Sequence, residues 1–167
     1  MGCVEAGKID AALVTTAAVP RGALVERPLF SDEIVFIVSA SHPLAARKTL
    51  TRADLCSNPL LSSRAPAAET HWFMARVFGR SRPKLQFERF PLTEAIVDVA
   101  RAGLGIAVLS EWIASPHLGK GDLVTKRIAS GPLLRPWRMV WRREVDAAAR
   151  RVLSALAVTA PHARLAG

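Results

Sequence analysis

The chain has 167 residues, half of them hydrophobic, and a formal net charge of +9. This length suits one domain or two small lobes, and the hydrophobic content excludes a globally disordered chain. No apolar run approaches the roughly 20 residues of a membrane-spanning helix, and we expect no signal peptide. The positive charge is spread along the chain as single or paired arginines, so we interpret it as solvated basic surface rather than a nucleic-acid interface. The densest group is Arg135, Arg138, Arg142 and Arg143.

Hydrophobic periodicity and turn residues predict alternating strands and helices. Strands or extended segments are predicted at residues 9–15, 24–30, 33–38, 60–63, 84–90, 105–110, 122–128 and 136–142. Helices are predicted at residues 51–55, 67–78, 93–102 and 144–158, with one further turn after Ser110. The first strand is apolar enough to be covered on both faces. The alternation is typical of an α/β fold with mainly parallel sheets.

Several residues are expected to start or stop these helices. Thr51 and Asp54 form a capping-box pattern, and Thr93 is a good N-cap residue. Gly7, Gly79 and Gly103 occupy positions where a helix would end. These local signals predict the helix boundaries.

Cysteines and histidines form no pattern typical of catalysis or metal binding. Cys3 and Cys56 are the two cysteines, and we expect free thiols, with Cys56 buried and inert. The four histidines, His42, His71, His117 and His162, lack a second ligand at helical or hairpin spacing. His42 precedes a proline, so extended backbone and a surface or hinge hydrogen bond are expected there. We predict no metal, no cofactor and no enzymatic activity.

Two helices begin directly after buried strands, which favours a ligand site. Ser62, Ser63 and Arg64 precede one helix, and Thr93 precedes the other. The free N–H groups and positive dipole ends of such helices favour a carboxylate at the carboxyl edge of parallel strands. The alternative is that Ser63 and Thr93 only cap their helices.

Five stretches in order resemble the effector-binding domain of LysR-type bacterial transcriptional regulators. They are GKIDAALVT, LFSDEIVFIVSASHPLA, LTRADLCSNPLL, IVDVARAGLGIAVLS and GDLVTKRI. In this order and spacing they are specific and cover nearly the whole chain. The stretch SEWIASPHLGKGDLVTKRI, with PWRMVW, is most similar to the subgroup that activates methionine-biosynthesis genes and responds to homocysteine.

The resemblance implies an α/β fold of two Rossmann-like subdomains joined by two crossover strands, as in periplasmic binding proteins. Subdomain I, incomplete here, would combine residues 1–38 and 128–167, and subdomain II would span residues 39–127. The effector would lie in the cleft between them. The implied effector-binding residues are Thr15, Thr16, Ser62, Ser63, Arg64, Phe90, Leu92 and Thr93. The implied hinge residues are Val38, Ser39, Lys126 and Arg127.

The resemblance also implies partners and a cellular location. The family's N-terminal winged helix-turn-helix and the opening strand–helix–strand of subdomain I have no counterpart in these residues. We therefore expect a truncated or mis-started gene product, or a fragment, with an unpaired strand edge in subdomain I. A small-molecule effector is the implied partner, with DNA contacted only through the absent domain, homo-oligomers in the full-length family, and a cytoplasmic location. The alternatives are a cytoplasmic solute-binding domain without a transcriptional role and a small α/β enzyme.

Overall fold

The computed structural model describes residues 2–20, 22 and 24–159. The chain divides into two compact units: Met1–Asp32 with Leu134–Gly167 (unit 1), and Glu33–Leu133 (unit 2). The predicted subdomain boundaries, after residue 38 and before residue 128, both fall inside unit 2. The boundaries of the subdomains therefore stay a prediction.

Strands and short helices alternate through most of the described chain. The strands are β1 (Ala11–Val14), β2 (Leu24–Ser39), β3 (Thr49–Leu50), β4 (Leu60–Ser62), β5 (Phe87–Arg89), β6 (Ile106–Ser110), β7 (Leu123–Ile128) and β8 (Leu133–Arg142). The α-helices are α1 (Gly2–Glu5), α2 (Arg52–Ser57), α3 (Ala67–Phe78), α4 (Thr93–Arg101), α5 (Glu111–Ala114) and α6 (Asp146–Thr159). Single 3-10 turns occupy Pro43–Ala46, Ser115–His117 and Arg143–Val145.

Unit 1 is built around β8, whose neighbours in the sheet are β1 and β2. β1 pairs antiparallel with β8, so that Val14 lies opposite Arg138. Trp141 of β8 is fully buried in a core that includes Met139 and Ala149. Its indole N–H donates to Asp146 at 2.9 Å, which satisfies the ring's polar atom while the rest of the ring packs in the core.

Unit 2 carries a mixed sheet with apolar side chains on both faces. β4 runs parallel to β5 and β6, β3 runs parallel to β7, and β2 pairs antiparallel with β6 and β7. The core on one face includes Phe36, Val38, Leu60, Val77 and Ile106. The core on the other face includes Val35, Ile37, Leu61, Ile96 and Val97. Helix α3 covers the first face and α4 covers the second, because each presents a buried apolar stripe.

Most predicted elements are present, and helix α3 has the predicted bounds. The predicted segments 24–30 and 33–38 are, however, one continuous strand, β2. The prediction of a break at residues 31 and 32 was wrong. Asp32 continues the strand because its buried carboxylate is neutralised, as is that of its neighbour Glu33. Arg135 donates to both carboxylate oxygens of Asp32, at 3.1 and 2.6 Å, and Arg127 to both of Glu33, at 2.6 and 2.7 Å. Paired in this way, the two buried acids continue the strand.

Three further expectations were wrong. β1 is not covered on both faces, since Leu13 is 45% exposed. The sheet is mixed rather than mainly parallel, because the pairings of β1 with β8 and of β2 with β6 and β7 are antiparallel. Cys56 is exposed rather than buried, because it lies on the outer face of the short helix α2 while its neighbour Leu55 faces the core.

Among the residues described, no helix is long and apolar enough to cross a membrane.

Candidate functional site

Strands β4 and β5 end side by side at one edge of the unit 2 sheet. Their parallel register places Ser62 opposite Arg89, and the Phe90 N–H donates to the Ser62 carbonyl at 3.0 Å. The segments 62–64 and 90–93, which follow these strands, therefore lie next to each other. The structure brings the two groups of predicted unit 2 residues together at the carboxyl ends of parallel strands, where ligands bind in α/β folds.

Arg89 holds the loop that follows β4. Its Nη1 donates to the Ser62 hydroxyl and to the Ser63 carbonyl, both at 2.7 Å. Its guanidinium also lies 4.3 Å from the centre of the Phe87 ring. Burial lowers the pKa of the Arg89 guanidinium from its ordinary value. Sequence reasoning placed Arg89 on a strand face but missed this function, since its hydrogen-bond partners are 26 and 27 positions away in the chain.

Neither Ser63 nor Thr93 caps a helix. Helix α3 starts at Ala67 with Pro66 before it, and the N-cap residue of α4 is Leu92; neither end has a side-chain cap. The prediction that Thr93 is an N-cap was wrong, because Leu92 holds the last extended backbone conformation and Thr93 is already the first helical residue. The capping alternative for these two hydroxyl groups is thereby removed.

Thr15 and Thr16 follow β1 in unit 1 and are half-buried. Arg138 of β8 donates to the Thr15 carbonyl from Nε at 3.2 Å and from Nη2 at 2.6 Å. The same Nη2 reaches the Ala17 carbonyl at 2.6 Å, and Nη1 donates to the Glu26 carboxylate at 2.6 Å. This loop is therefore also held by an arginine through its carbonyl oxygens, and sequence reasoning did not identify that arginine as a site residue.

The four predicted hinge residues all lie in unit 2. Val38 pairs with Val124, and Ser39 with Leu123, so that β2 and β7 run side by side at these residues. Lys126 donates to the carbonyls of Ala45 and Arg47, each at 2.7 Å. The hinge function itself stays a prediction.

His42 forms a hydrogen bond within its own turn. His42 Nδ1 accepts from the Leu44 N–H at 3.1 Å and caps a 3-10 turn, which confirms the predicted hydrogen-bonding role. His162 lies outside the described residues. In the part of the chain that the structure describes, no group of three or more His, Cys, Asp or Glu side chains could hold a metal ion.

The arginines of β8 are largely neutralised within unit 1. Arg135 pairs with Asp32, Arg138 with Glu26, and Arg142 with Asp10, each with its closest ion-pair distance at 2.6 Å. Paired guanidinium groups attract phosphate backbones less strongly than free ones. Three of the four arginines in the densest basic group are therefore paired inside the unit, which favours the interpretation that this group is not a nucleic-acid interface.

Comparison with known proteins identifies the class of domain. The family model of the LysR substrate binding domain matches residues 2–160, so the chain belongs to this family. Its members are effector-binding regulatory domains of transcriptional regulators, with an α/β fold of the periplasmic-binding-protein type. The predicted family and fold class are confirmed.

Among the relatives of this chain, MetR proteins are prominent. The HTH-type transcriptional regulator MetR of Escherichia coli (strain K12) is 28% identical over 131 residues, which cover 77% of this chain and 40% of that protein. The RuBisCO operon transcriptional regulator of Allochromatium vinosum is 31% identical over 145 residues, covering 84% and 46%. The regulatory domain of NMB2055 (MetR) from N. meningitidis superimposes with a TM-score of 0.81 at 25% identity, over 93% of this chain and 74% of that one. The chain thus spans less than half the length of these two curated relatives.

Proposed function

We propose that this chain is the effector-sensing region of a LysR-type transcriptional regulator, and that its effector is a small amino-acid-like metabolite, with homocysteine as the first candidate. The proposed contacts are Thr15, Thr16, Ser62, Ser63, Arg64, Phe90, Leu92 and Thr93. The observation that carries the proposal is the pair of adjacent loops at the ends of β4 and β5, held by Arg89 through Ser62 and Ser63. The resemblance of the sequence to the methionine-biosynthesis subgroup, whose members respond to homocysteine, supports this choice.

The local chemistry suits a carboxylate. Helices α3 and α4 begin just beyond the two loops, and their first-turn N–H groups carry the positive ends of helix dipoles. Arg64 is exposed beside the start of α3 and adds a full positive charge. The hydroxyls of Ser63 and Thr93 make no capping bond and can donate to the ligand. Leu92, which is 62% exposed, offers an apolar contact for the aliphatic part of the metabolite.

Arginine-held loops would also reduce the cost of binding. Arg89 restrains the loop after β4 and Arg138 restrains the loop after β1, in each case through carbonyl oxygens, which would leave the N–H groups of these loops free to face a ligand. A restrained loop loses less conformational entropy on binding than a mobile one.

The rest of the proposal concerns the whole regulator. We assign subdomain I to residues 1–38 and 128–167, subdomain II to residues 39–127, and the hinge to Val38, Ser39, Lys126 and Arg127. DNA recognition is assigned to a helix-turn-helix domain outside the matched region, in a cytoplasmic homo-oligomer. Effector binding would then act by shifting the population of subunit arrangements.

A thermal-shift titration tests the effector. Homocysteine, methionine and homoserine are each added to the 167-residue chain, to a Ser63→Ala and a Thr93→Ala variant, and to Ser115→Ala as an exposed matched control. We expect homocysteine to stabilise the chain by about 2.7 kcal/mol at a hundred times its Kd, and methionine to have little effect. Each site variant should weaken the response, and Ser115→Ala should not. Equal shifts with methionine, or site variants that respond like Ser115→Ala, would contradict the proposal.

A further inference from the structure

Unit 1 contains a cavity of about 400 Å³ between the start of β2 and the start of α6. Its polar lining consists of Glu26, Arg27, Arg143, Asp146 and Arg150. None of these residues belongs to the proposed effector contacts. The volume lies within the range of pockets that hold small metabolites, so the cavity is large enough for a ligand of its own.

Both carboxylates of the cavity are already engaged. Glu26 accepts from Arg138 at 2.6 Å. Asp146 accepts from Arg150 Nε at 2.7 Å and from the Trp141 indole N–H at 2.9 Å. The hydrogen bonds from Arg150 and Trp141 hold the pKa of Asp146 below its ordinary value, so this group stays ionised at neutral pH.

The remaining cations of the cavity have weaker partners. Arg27 Nη1 donates to the Glu26 carbonyl at 2.8 Å, and Arg143 Nε reaches the Gly22 carbonyl at 3.5 Å. Among the ion pairs of the described residues, neither guanidinium is matched by a carboxylate. Each keeps most of its five N–H donors available. The cavity therefore presents two guanidinium groups that form no ion pair within the described chain, although the charge of Arg27 helps to lower the pKa of Asp146. Both groups lie beside the N-terminal end of the 14-residue helix α6.

We propose that this cavity binds a small phosphate monoester, with Arg27 and Arg143 as its principal ligands. A phosphate monoester carries about 1.5 to 2 negative charges at pH 7 and three strong acceptor oxygens, which match two guanidinium groups. A monocarboxylate would neutralise one of them. Glu26 and Asp146 each accept a hydrogen bond from an arginine that is not assigned to the ligand, which reduces their repulsion of a phosphate.

Occupation of the cavity would link two elements of unit 1. Arg27 lies in β2, whereas Arg143 lies in the 3-10 turn before α6. A phosphate held by both would cross-link the strand to the helix and stabilise unit 1. The chain would therefore have a second ligand-binding site, independent of the proposed effector site.

Calorimetric titration with glycerol 3-phosphate tests this site, with succinate as a dianion that lacks phosphate. We expect a Kd below about 1 mM for glycerol 3-phosphate, and at least roughly ten-fold weaker binding for Arg27→Gln and for Arg143→Gln. Arg151→Gln makes the same charge change on an exposed residue of α6 outside the cavity, and it should leave the affinity unchanged. Saturating homocysteine should also leave it unchanged.

Several outcomes would overturn the proposal. These are no heat of binding with the unaltered chain, an equal loss of affinity in Arg151→Gln, full affinity in the Arg27→Gln/Arg143→Gln double variant, or equal affinity for succinate. Circular dichroism checks that each variant is folded. An Arg27→Lys variant keeps the charge but lacks the two-pronged donor geometry, so it should bind with intermediate affinity.

Discussion

Arg89 and Arg138 show how single residues order a candidate site without belonging to the contacts predicted for it. Each donates to carbonyl oxygens in a loop that follows a strand, with distances between 2.6 and 3.2 Å. Each also has a second partner, the Ser62 hydroxyl for Arg89 and the Glu26 carboxylate for Arg138. Lysine could not replace either residue, because one ammonium cannot reach several acceptors with a planar, fixed geometry.

Asp54 provides a pH-dependent contribution to stability in unit 2. Burial by itself raises the pKa of Asp54, but the Thr51 N–H and hydroxyl, both 2.8 Å from Oδ2, and Arg47 outweigh this effect and lower the pKa below its ordinary value of 3.8. The folded pKa is thus below the unfolded one. The stabilisation is fully present above the unfolded pKa and is lost as pH falls through the folded pKa.

We predict that Asp54→Asn costs about 1 kcal/mol at pH 7, and that the difference from the unaltered chain narrows as pH falls below about 4. Urea denaturation at a series of pH values measures this directly. Glu94→Gln, which changes an exposed acid in the first turn of α4, serves as the control and should show little loss at pH 7. A difference between Asp54→Asn and the unaltered chain that stays constant down to pH 2 would rule out this linkage.

Whether a hydrogen bond can be predicted from the sequence depends on how far apart its two residues lie along the chain. The capping box of Thr51 and Asp54 was predicted and is confirmed, because its two residues are three positions apart and every bond in it is local. Arg138 and Thr15 are 123 positions apart, so no local pattern could connect them. The same applies to Arg89, whose partners lie on a neighbouring strand.

For the strands and helices, contacts between residues far apart in the sequence determine where a strand continues and where two strands approach closely. Gly103 was predicted to stop a helix, and its positive φ of 78° after α4 fits that prediction. Gly105 has a different reason to be glycine: a Cβ atom there would lie 2.7 Å from the Pro59 carbonyl oxygen and 3.0 Å from Leu61 Cδ2. Glycine is needed at position 105 because the backbone at Pro59, just before β4, lies too close to the start of β6 for a side chain.

We predict that Gly105→Ala destabilises the chain by about 1 to 3 kcal/mol, because the carbonyl of Pro59 belongs to the backbone and cannot move aside without separating β4 from β6. Gly119→Ala is the matched control, since no atom lies within 4 Å of its added Cβ and its φ is not positive. Chemical denaturation of both variants measures the costs. Equal stability of the two variants would show that the β4–β6 contact tolerates a methyl group.

The elements that sequence reasoning placed well are those with strong local periodicity. Helix α3 combines a clear apolar stripe with Gly79 at its end, and its predicted bounds hold. β2 was divided in two because Ser31 and Asp32 interrupt its apolar pattern, and Arg135, the partner of Asp32, lies 103 positions away. The exposure of Leu13 was missed because burial depends on which neighbours cover a strand, which its own composition does not reveal.

For the molecule as a whole, net charge is a poor guide to its partners. The formal charge of +9 resembles that of a nucleic-acid-binding domain. The described residues nevertheless direct many guanidinium groups to carboxylates within each unit, including Arg127 with Glu33 and Arg101 with Asp122 in unit 2. The hydrogen bonds that Arg127 donates to Glu33 raise the pKa of Arg127, so this pair stays charged over the physiological range. The remaining positive charge is dispersed.

We predict that the 167-residue chain binds DNA only weakly and without preference for an operator sequence. A dispersed positive charge attracts phosphates non-specifically, and such binding weakens steeply with salt, with a slope of about −0.9 for each phosphate contact on a log–log plot. Fluorescence anisotropy with a MetR-type operator and a scrambled duplex, each at several salt concentrations, measures both affinity and slope. We expect equal, salt-sensitive affinities for the two duplexes, unchanged by homocysteine. Specific binding requires side chains that reach base edges in a groove of the DNA. Preferential binding of this chain to the operator would therefore contradict the assignment of DNA recognition to a helix-turn-helix domain outside the matched region.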